Sequence, residues 1–262
     1  MDGAGVDGRG VVVTGGGNGI GRAIATRMAA GGARVVVNDL DAGAAAEVAA
    51  VIGGVAVPGD AATEAGVAAL VEAATAELGT IDIFFANAGI GGGGGLLETT
   101  EAQWARALEV NVLAHVRAAR LLVPGWVERG GGRFVVTASA AGLLTQIGSA
   151  PYSVTKHAAV AFAEWLAVTY GDDGVVAQCL CPQGVRTQML DSTGVMRDMI
   201  SHDGELEPEQ VAEVVWDALH DDRFLILPHE KVRDYYSFKA ASTDRWLGGM
   251  RKLKRRVDAA RG

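Results

Sequence analysis

Short apolar runs alternate along the whole chain with segments in which apolar residues recur every three or four positions. The short runs are rich in Val and Ile, which predicts strands at 11–13, 34–39, 55–57, 81–86, 133–137, 175–180 and 223–227. The periodic segments predict helices beginning at residue 20 and spanning 42–52, 63–78, 100–129, 151–170 and 208–219. The strands are apolar on both faces. This alternation therefore predicts an α/β fold whose parallel sheet is covered by helices on both sides.

The chain is expected to divide into one domain, residues 1–228, and a helical tail, residues 229–262. Pro124 lies inside the long predicted helix at 100–129 and predicts a kink or break there, because proline lacks a backbone N–H group. Apolar side chains recur at helical spacing in the tail: Val232, Tyr235, Tyr236, Trp246, Leu247, Met250, Leu253 and Val257. We expect the tail to pack on the domain or on a partner subunit. Its basic end, residues 251–256, is expected to be a solvated helix face or to dock on a partner subunit; the more specific alternatives are a lid for an anionic substrate or a nucleic-acid contact.

Composition narrows the class of protein. The chain has 262 residues, 49% of them apolar, a net charge of −8 and a pI near 5.1, which argues against a nucleic-acid partner. No apolar run approaches the ~18–20 residues needed to cross a bilayer, and no signal peptide is recognisable at the start. Cys179 and Cys181 are expected to be buried and reduced, and no His cluster completes a metal site. We therefore expect a cytoplasmic protein without a metal or a membrane partner.

Residues 14–21, Thr-Gly-Gly-Gly-Asn-Gly-Ile-Gly, stand between the first predicted strand and the first helix. The N-terminus of a helix offers unpaired N–H groups to a phosphate, and glycine lets the ligand approach the backbone. A glycine-rich turn that binds nothing could give a similar pattern. The order of strand, glycines and helix nevertheless favours a phosphate-binding unit.

A second group of polar residues carries candidate chemistry. Tyr152 and Lys156 are four positions apart and share one face of a predicted helix, and Ser139 follows the fifth strand. A nearby ammonium favours the phenolate form of tyrosine. Lowering the tyrosine pKa from ~10 to ~7 requires roughly 4 kcal/mol. Ser139 can hydrogen-bond a substrate oxygen beside Tyr152. A Tyr-x-x-x-Lys pair alone also occurs on many ordinary helix surfaces.

These motifs, with Asn87-Ala88-Gly89 between them, resemble those of the short-chain dehydrogenases/reductases over residues 8 to 228. The resemblance implies a Rossmann-like, doubly wound sheet of about seven parallel strands. It implies an NAD-dependent alcohol dehydrogenase or carbonyl reductase that interconverts a secondary alcohol and a ketone, with Tyr152 as the acid and base. It further implies that Ser139 positions the substrate oxygen, that Lys156 lowers the Tyr152 pKa and binds the nicotinamide ribose, and that Asn111 holds a water in the proton relay.

Asp39, about twenty residues after the glycines, points to the cofactor. A carboxylate there can accept hydrogen bonds from both adenosine ribose hydroxyls and repels a 2′-phosphate, which favours NAD over NADP. The alternative is that Asp39 caps the following helix. The cofactor site implied by the resemblance consists of Gly15, Asn18, Gly19, Ile20, Gly21, Asp39, Leu40, Asp60, Ala61, Asn87, Ala88, Gly89, Tyr152, Lys156, Pro182, Val185 and Thr187.

The sequence departs from the family pattern at Gln183, where glycine is usual in the segment 182–187 that holds the nicotinamide carboxamide. Either the Gln183 side chain faces the substrate, or the backbone of Gly184 takes over the role of the usual glycine. Segment 188–205 is expected to form an apolar lid through Met189, Leu190, Val195, Met196, Met199 and Ile200. The glycines at 91–95 are expected to form a mobile loop beside the site.

Three further interpretations concern the whole protein. A catalytically silent NAD-binding regulator or scaffold could use the same fold without turnover, although it would have no need of Ser139, Tyr152 and Lys156 together. A sugar epimerase or dehydratase of the extended branch would have a larger C-terminal substrate domain. We also expect a homo-oligomer, either a dimer or a tetramer.

Overall fold

Parallel strands form one sheet at the centre of the molecule. The computed structural model describes residues 5–92, 94–191 and 197–261. The strands are β1 Gly10–Thr14, β2 Arg34–Asn38, β3 Val55–Ala56, β4 Ile83–Ala86, β5 Gly132–Thr137, β6 Val175–Leu180 and β7 Leu225–Ile226. Their order across the described sheet is β3-β2-β1-β4-β5-β6-β7, and every neighbouring pair is parallel. The predicted seven-stranded parallel sheet is confirmed. The order reverses between β1 and β4, where ligands bind in such sheets.

Helices lie on both faces of this sheet. They are α1 Gly19–Ala30, α2 Ala42–Ile52, α3 Glu64–Leu78, α4 Glu101–Leu108, α5 Ala114–Glu128, α6 Ala141–Leu144, α7 Ala150–Tyr170, α8 Gln188–Asp191, α9 Arg197–Ile200, α10 Pro208–Asp221, α11 Lys231–Ala241 and α12 Thr243–Arg261. Side chains of α3, α5 and α7 pack against one face, and those of α1, α2 and α10 pack against the other. Adjacent strand residues alternate between these cores, since Val12 belongs to the first and Val13 to the second. The sheet is therefore buried on both faces, as predicted.

The long helix predicted at 100–129 is irregular, but not at Pro124, where a kink or break is predicted. Helix α5 continues through Pro124, whereas residues Glu109–Leu113 form a π-helical segment between α4 and α5. Pro124 and Arg120 are both exposed, so water can reach the carbonyl that loses its partner to the proline. The predicted break at Pro124 is therefore wrong, and the irregular segment begins just over two turns into the helix, after the eight residues of α4.

Trp126 closes the core at the start of strand β5. Its side chain is 1% exposed, and its Nε1 donates a hydrogen bond to the Ile81 carbonyl at 2.8 Å. A Cβ added at Gly132 would lie 2.1 Å from Trp126 Cδ2, so only glycine fits beside this ring. The close approach fixes where β5 enters the sheet.

The tail forms two helices, α11 and α12, after strand β7. Val232 of α11 is fully buried in the core, and α11 also contacts α6. Helix α12 packs mainly on α11 through Trp246, whose ring centroid lies 6.4 Å from that of Tyr235. The length and hydropathy that a membrane-crossing helix needs are found together in no helix of the described chain.

Candidate active site

The glycine-rich turn is fixed to the ends of strands β1 and β4. Thr14 Oγ1 accepts hydrogen bonds from the backbone N–H groups of Asn87 and Ala88, each at 3.0 Å. Asn87 Nδ2 donates to the carbonyls of Thr14 at 2.9 Å and Gly15 at 3.3 Å. Gly15 has a φ of +62°, a conformation that favours glycine. The Asn87 side chain thus ties the turn to the neighbouring strand at the switch point of the sheet.

Helix α1 begins directly after this turn and presents its N-terminus to a cavity. A Cβ at Gly21 would lie 2.1 Å from the Gly15 carbonyl oxygen, so the helix start can pack on the turn only with glycine there. Asn18, the N-cap residue, makes no side-chain capping bond, and the first turn of α1 contains no acidic residue. The first N–H groups and the positive end of the helix dipole therefore suit a phosphate, and the turn fits a dinucleotide.

Asp39 follows strand β2 and borders the same cavity. Its Oδ2 accepts from the Gly17 N–H at 2.9 Å, and its Oδ1 accepts from the Asp41 N–H at 3.0 Å. Helix α2 is capped by Asp41, whose side chain accepts from the N–H groups of Gly43 and Ala44. Asp39 is therefore not the cap of that helix, and its carboxylate is held beside the glycine-rich turn.

One continuous cavity of about 1780 Å³ joins nearly all of the predicted site residues. Its lining includes every predicted cofactor residue together with Ser139. Ligand pockets usually measure about 300–1,000 Å³, so this space exceeds what one small ligand needs. Asp60 lies on its wall, where its Oδ1 accepts from the Ala62 N–H at 3.0 Å and its Oδ2 lies 3.5 Å from Arg106 Nη1.

Helix α7 and the end of strand β5 bring Ser139, Tyr152 and Lys156 together on the cavity wall. Ser139 Oγ accepts from the Ala141 N–H at 3.1 Å. Lys156 is 3% exposed and donates from Nζ to the Thr137 carbonyl at 2.8 Å. Its Nζ lies 5.7 Å from the centroid of the Tyr152 ring. The hydroxyl, the phenol and the amine therefore share one site.

Burial shifts the pKa values of both Tyr152 and Lys156. Burial raises the pKa of Tyr152, a hydrogen bond with Ser139 opposes that rise, and Cys181 adds to it. Burial also lowers the pKa of Lys156 to about 8. Burial therefore favours the neutral form of both groups.

Asn111 lies behind the cavity wall, in the π-helical segment. Its side chain is fully buried, its Oδ1 accepts from the Ile90 N–H at 2.8 Å, and its Nδ2 donates to the Ile90 carbonyl at 3.0 Å and to Thr155 Oγ1 at 3.1 Å. A Cβ at Gly89 would approach Asn111 Oδ1 and Lys156 Nζ to 3.3 Å each. Asn111 therefore holds the segment after β4 against helix α7, directly behind Lys156.

Comparison with known proteins places this arrangement in a family. The family model described as "short chain dehydrogenase" matches residues 9–198. A 1-deoxy-11-beta-hydroxypentalenate dehydrogenase of Streptomyces exfoliatus is 37% identical over 233 residues, which cover 86% of this chain and 84% of that protein. This chain is a short-chain dehydrogenase.

Two further proteins show the same likeness. A meso-2,3-butanediol dehydrogenase of Serratia marcescens is 33% identical over 228 residues, covering 84% of this chain and 90% of that protein. The crystal structure of a short-chain dehydrogenase/reductase from Burkholderia phymatum in complex with NAD superimposes with a TM-score of 0.86 at 29% identity, covering 92% of this chain and 96% of that one. The predicted family and fold are confirmed.

In this short-chain dehydrogenase a residue of the tail supports the segment that contains Gln183. The backbone N–H of Gln183 donates to His229 Nδ1 at 3.2 Å, so the ring proton of neutral His229 is on Nε2, which lies 3.1 Å from the Gly184 carbonyl. Burial lowers the pKa of His229 and favours the neutral ring. Sequence reasoning missed His229, because a single histidine 45 residues beyond Gly184 carries no pattern that predicts this contact.

The structure describes part of the predicted lid and part of the predicted glycine loop. Met189, Leu190, Met199 and Ile200 line the cavity as expected, whereas Val195, Met196 and Gly93 lie outside the described residues. In the glycine loop, Gly94 pairs with Ser149, the residue before helix α7. The loop is thus bonded to the segment that leads into the catalytic helix.

The tail borders the outer part of the cavity. Trp246, Met250 and Leu253 share one face of α12 and line it, and Lys254 is paired with Asp258 at 2.6 Å. The tail therefore packs on the body of the same chain and shapes its site. Among the described residues, we find no cluster of three His, Cys, Asp or Glu side chains suited to a metal ion.

Proposed function

We propose that this short-chain dehydrogenase interconverts a secondary alcohol and a ketone by hydride transfer, with NAD as its cofactor. The observation that carries the proposal is the meeting of Ser139, Tyr152 and Lys156 in the cavity that begins at the glycine-rich turn. When bound, the nicotinamide accepts or supplies the hydride. Secondary alcohols and ketones match a site that offers one hydroxyl and one phenol to a single substrate oxygen.

Each catalytic side chain has a separate role. In the oxidation, Tyr152 as phenolate takes the hydroxyl proton, and Ser139 holds the substrate oxygen beside it. Burial opposes the phenolate, so a second positive charge must enter the site with the oxidised nicotinamide. Lys156 contributes its ammonium and binds the nicotinamide ribose. Asn111 holds a water in the proton relay.

Asp39 supports NAD in preference to NADP. Both of its oxygens are fixed by backbone N–H groups, so the carboxylate stays at the end of β2, where the adenosine ribose lies in this family. A 2′-phosphate there would meet a negative charge. The rest of the proposed cofactor site consists of Gly15, Asn18, Gly19, Ile20, Gly21, Leu40, Asp60, Ala61, Asn87, Ala88, Gly89, Pro182, Val185 and Thr187.

We also infer a homo-oligomer in the cytoplasm. Apolar side chains on the outer faces of α5 and α7 support a subunit interface, since Leu121 is 49%, Trp165 54% and Val168 82% exposed. The free, buried thiols of Cys179 and Cys181 suit a reducing compartment.

The test of the proposed reaction is Tyr152→Phe, followed by NADH absorbance across a panel of secondary alcohols and ketones. Loss of the proton-transfer group is expected to lower kcat by at least about a hundredfold, with NADH affinity unchanged. Tyr170→Phe is the matched control, because Tyr170 ends the same helix and does not line the cavity.

Two results would contradict the proposal. One is a Tyr152→Phe variant that turns substrate over like the wild type. The other is a wild type that binds NADH but turns over nothing in the panel in either direction, which would favour the silent regulator or scaffold instead.

A further inference from the structure

Asp203 presents an unsatisfied carboxylate oxygen at the outer wall of the cavity. Its side chain is 3% exposed, and its Oδ1 accepts from Lys231 Nζ at 3.0 Å and from the Tyr235 hydroxyl at 3.2 Å. Its Oδ2 is buried and has no hydrogen-bond partner within the described part of the chain. A buried acceptor without a donor is costly, and charge increases that cost.

Gln183 adds a second free acceptor to the cavity lining. Its Nε2 donates to the Ile200 carbonyl at 3.0 Å, which fixes the amide so that Oε1 is the oxygen left over. That oxygen too is buried without a partner among the residues the structure describes. Both Gln183 and Asp203 line the same cavity, so a ligand bound there is the candidate source of the missing donors.

The charge of Asp203 is maintained by its neighbours. Burial alone would raise the pKa of the Asp203 carboxyl, but hydrogen bonds from Lys231 and Tyr235 outweigh burial and lower it. The group is therefore an anion at neutral pH. A ligand atom that meets it must be a hydrogen-bond donor, because an acceptor or an anion would be repelled.

The surroundings decide which kind of donor fits. Besides the polar His202 and Tyr235, the cavity lining contributed by these segments consists of apolar side chains: Met199, Ile200, Phe238 and Trp246. Lys231 Nζ already neutralises the carboxylate at 3.0 Å, so an ammonium group on the ligand would be repelled by Lys231. A neutral hydroxyl avoids both the repulsion and the desolvation of a charge.

We propose that Asp203 is a specificity-determining residue and that the substrate is a neutral alcohol with an apolar skeleton and a second hydroxyl, which donates to Asp203 Oδ2. This inference rests on the proposed function, because the first hydroxyl is the one that reacts at Tyr152. The second hydroxyl takes no part in the reaction; it is held at the far wall and positions the substrate.

The test is Asp203→Asn, which keeps the size of the side chain. The Asn oxygen is expected to stay with Lys231 and Tyr235, which places an NH₂ group where Oδ2 was and turns the free acceptor into a donor. The probes are cyclohexanol, the 1,3- and 1,4-cyclohexanediols and 4-aminocyclohexanol. Their binding to the protein saturated with NADH is measured by calorimetry; an alcohol cannot be oxidised in that complex, so the heat reports binding and not turnover.

The wild type is expected to bind at least one diol about tenfold or more tightly than cyclohexanol, since a hydrogen bond to a charged group is worth a factor of that order. In Asp203→Asn this preference should fall to about one, with cyclohexanol binding unchanged. Asp191→Asn is the matched control, because Asp191 is an ion-paired carboxylate of the same lid segment that does not line the cavity. It should keep the wild-type preference.

Other outcomes overturn the inference. An equal preference in Asp203→Asn and the wild type would show that Oδ2 meets no substrate hydroxyl. If Asp203→Asn lost affinity equally for cyclohexanol and the diols, Asp203 would have a structural role only. If the wild type bound 4-aminocyclohexanol more tightly than the diols, the group that Asp203 recognises would be a cation and not a hydroxyl. Wild-type turnover of single alcohols with no preference for diols would refute the inference while leaving the proposed reaction intact.

Discussion

Removing the charge of Asp39 tests the proposed choice of cofactor. The Asp39→Asn variant keeps the shape of the side chain and one acceptor for the backbone N–H groups of Gly17 and Asp41. It loses the negative charge that should repel a 2′-phosphate. We expect NADH to bind more weakly and NADPH more tightly, so that the two affinities converge.

The size of the effect follows from the fixed position of the carboxylate. Two unit charges about 5 Å apart interact with roughly 3 kcal/mol at an effective dielectric constant of about 20. A phosphate carries more than one charge, but Asp39 is only half-buried and salt screens the pair. A net discrimination of about 2–4 kcal/mol corresponds to roughly 30- to 700-fold tighter binding of NADH by the wild type.

The assay is a fluorescence titration of each protein with NADH and with NADPH at one ionic strength. The preference for NADH should fall at least about tenfold in Asp39→Asn, because a ribose hydroxyl also loses a charged acceptor. Asp41→Asn is the matched control: its side chain lies two residues away and caps helix α2, and because Asn caps a helix about as well as Asp, it should leave both the stability and the preference nearly unchanged. Equal affinities in the wild type, or an unchanged preference in Asp39→Asn, would refute the reasoning.

Two further predictions concern folding stability. Relative to Lys156→Met, the wild-type free energy of unfolding should rise by about 3 kcal/mol between pH 8 and 10.5. Over this range the buried amine, with a pKa of about 8 in the folded protein, has lost its proton, whereas the amine of the unfolded chain, with a pKa of 10.5, still holds it. Urea-denaturation profiles of the two proteins that stay parallel across this pH range would contradict this. Gly132→Ala should lower the free energy of unfolding by about 3 kcal/mol, because its Cβ would meet Trp126. Gly125→Ala, with open space around the added Cβ, is the control and should cost nothing.

Local pattern was enough to predict the sheet and most of its helices. Parallel strands with apolar residues on both faces must be covered on both sides, and the alternating helices supply that cover; Thr63 caps helix α3. The ends of strands are harder to predict from local pattern: the pattern predicts a strand at 223–227, whereas β7 contains only Leu225–Ile226. The π-helical segment could not be predicted, because it depends on how Asn111 bonds to Ile90 and Thr155 across the fold.

The candidate site divides in the same way. The side chains that carry chemistry stand in short motifs, so Ser139, Tyr152 and Lys156 could be predicted to meet in space. The groups that surround them come from distant segments. His229 reaches the 182–187 segment from the tail, and Asp203 gains its partners from α11. The burial that raises the pKa of Tyr152 is likewise a property of the packed structure and not of its sequence neighbours.

The position of helix α12 separates two properties that mutation usually changes together. Its inward face, from Trp246 to Leu253, shapes the outer end of the cavity, while α12 touches the rest of the chain mainly through α11. Substitutions at Met250 and Leu253 can therefore alter which molecules are admitted at little cost to folding stability, while the proposed reaction chemistry stays with residues of other elements. A lineage carrying this extension has a route to new substrates that leaves its catalytic core unchanged.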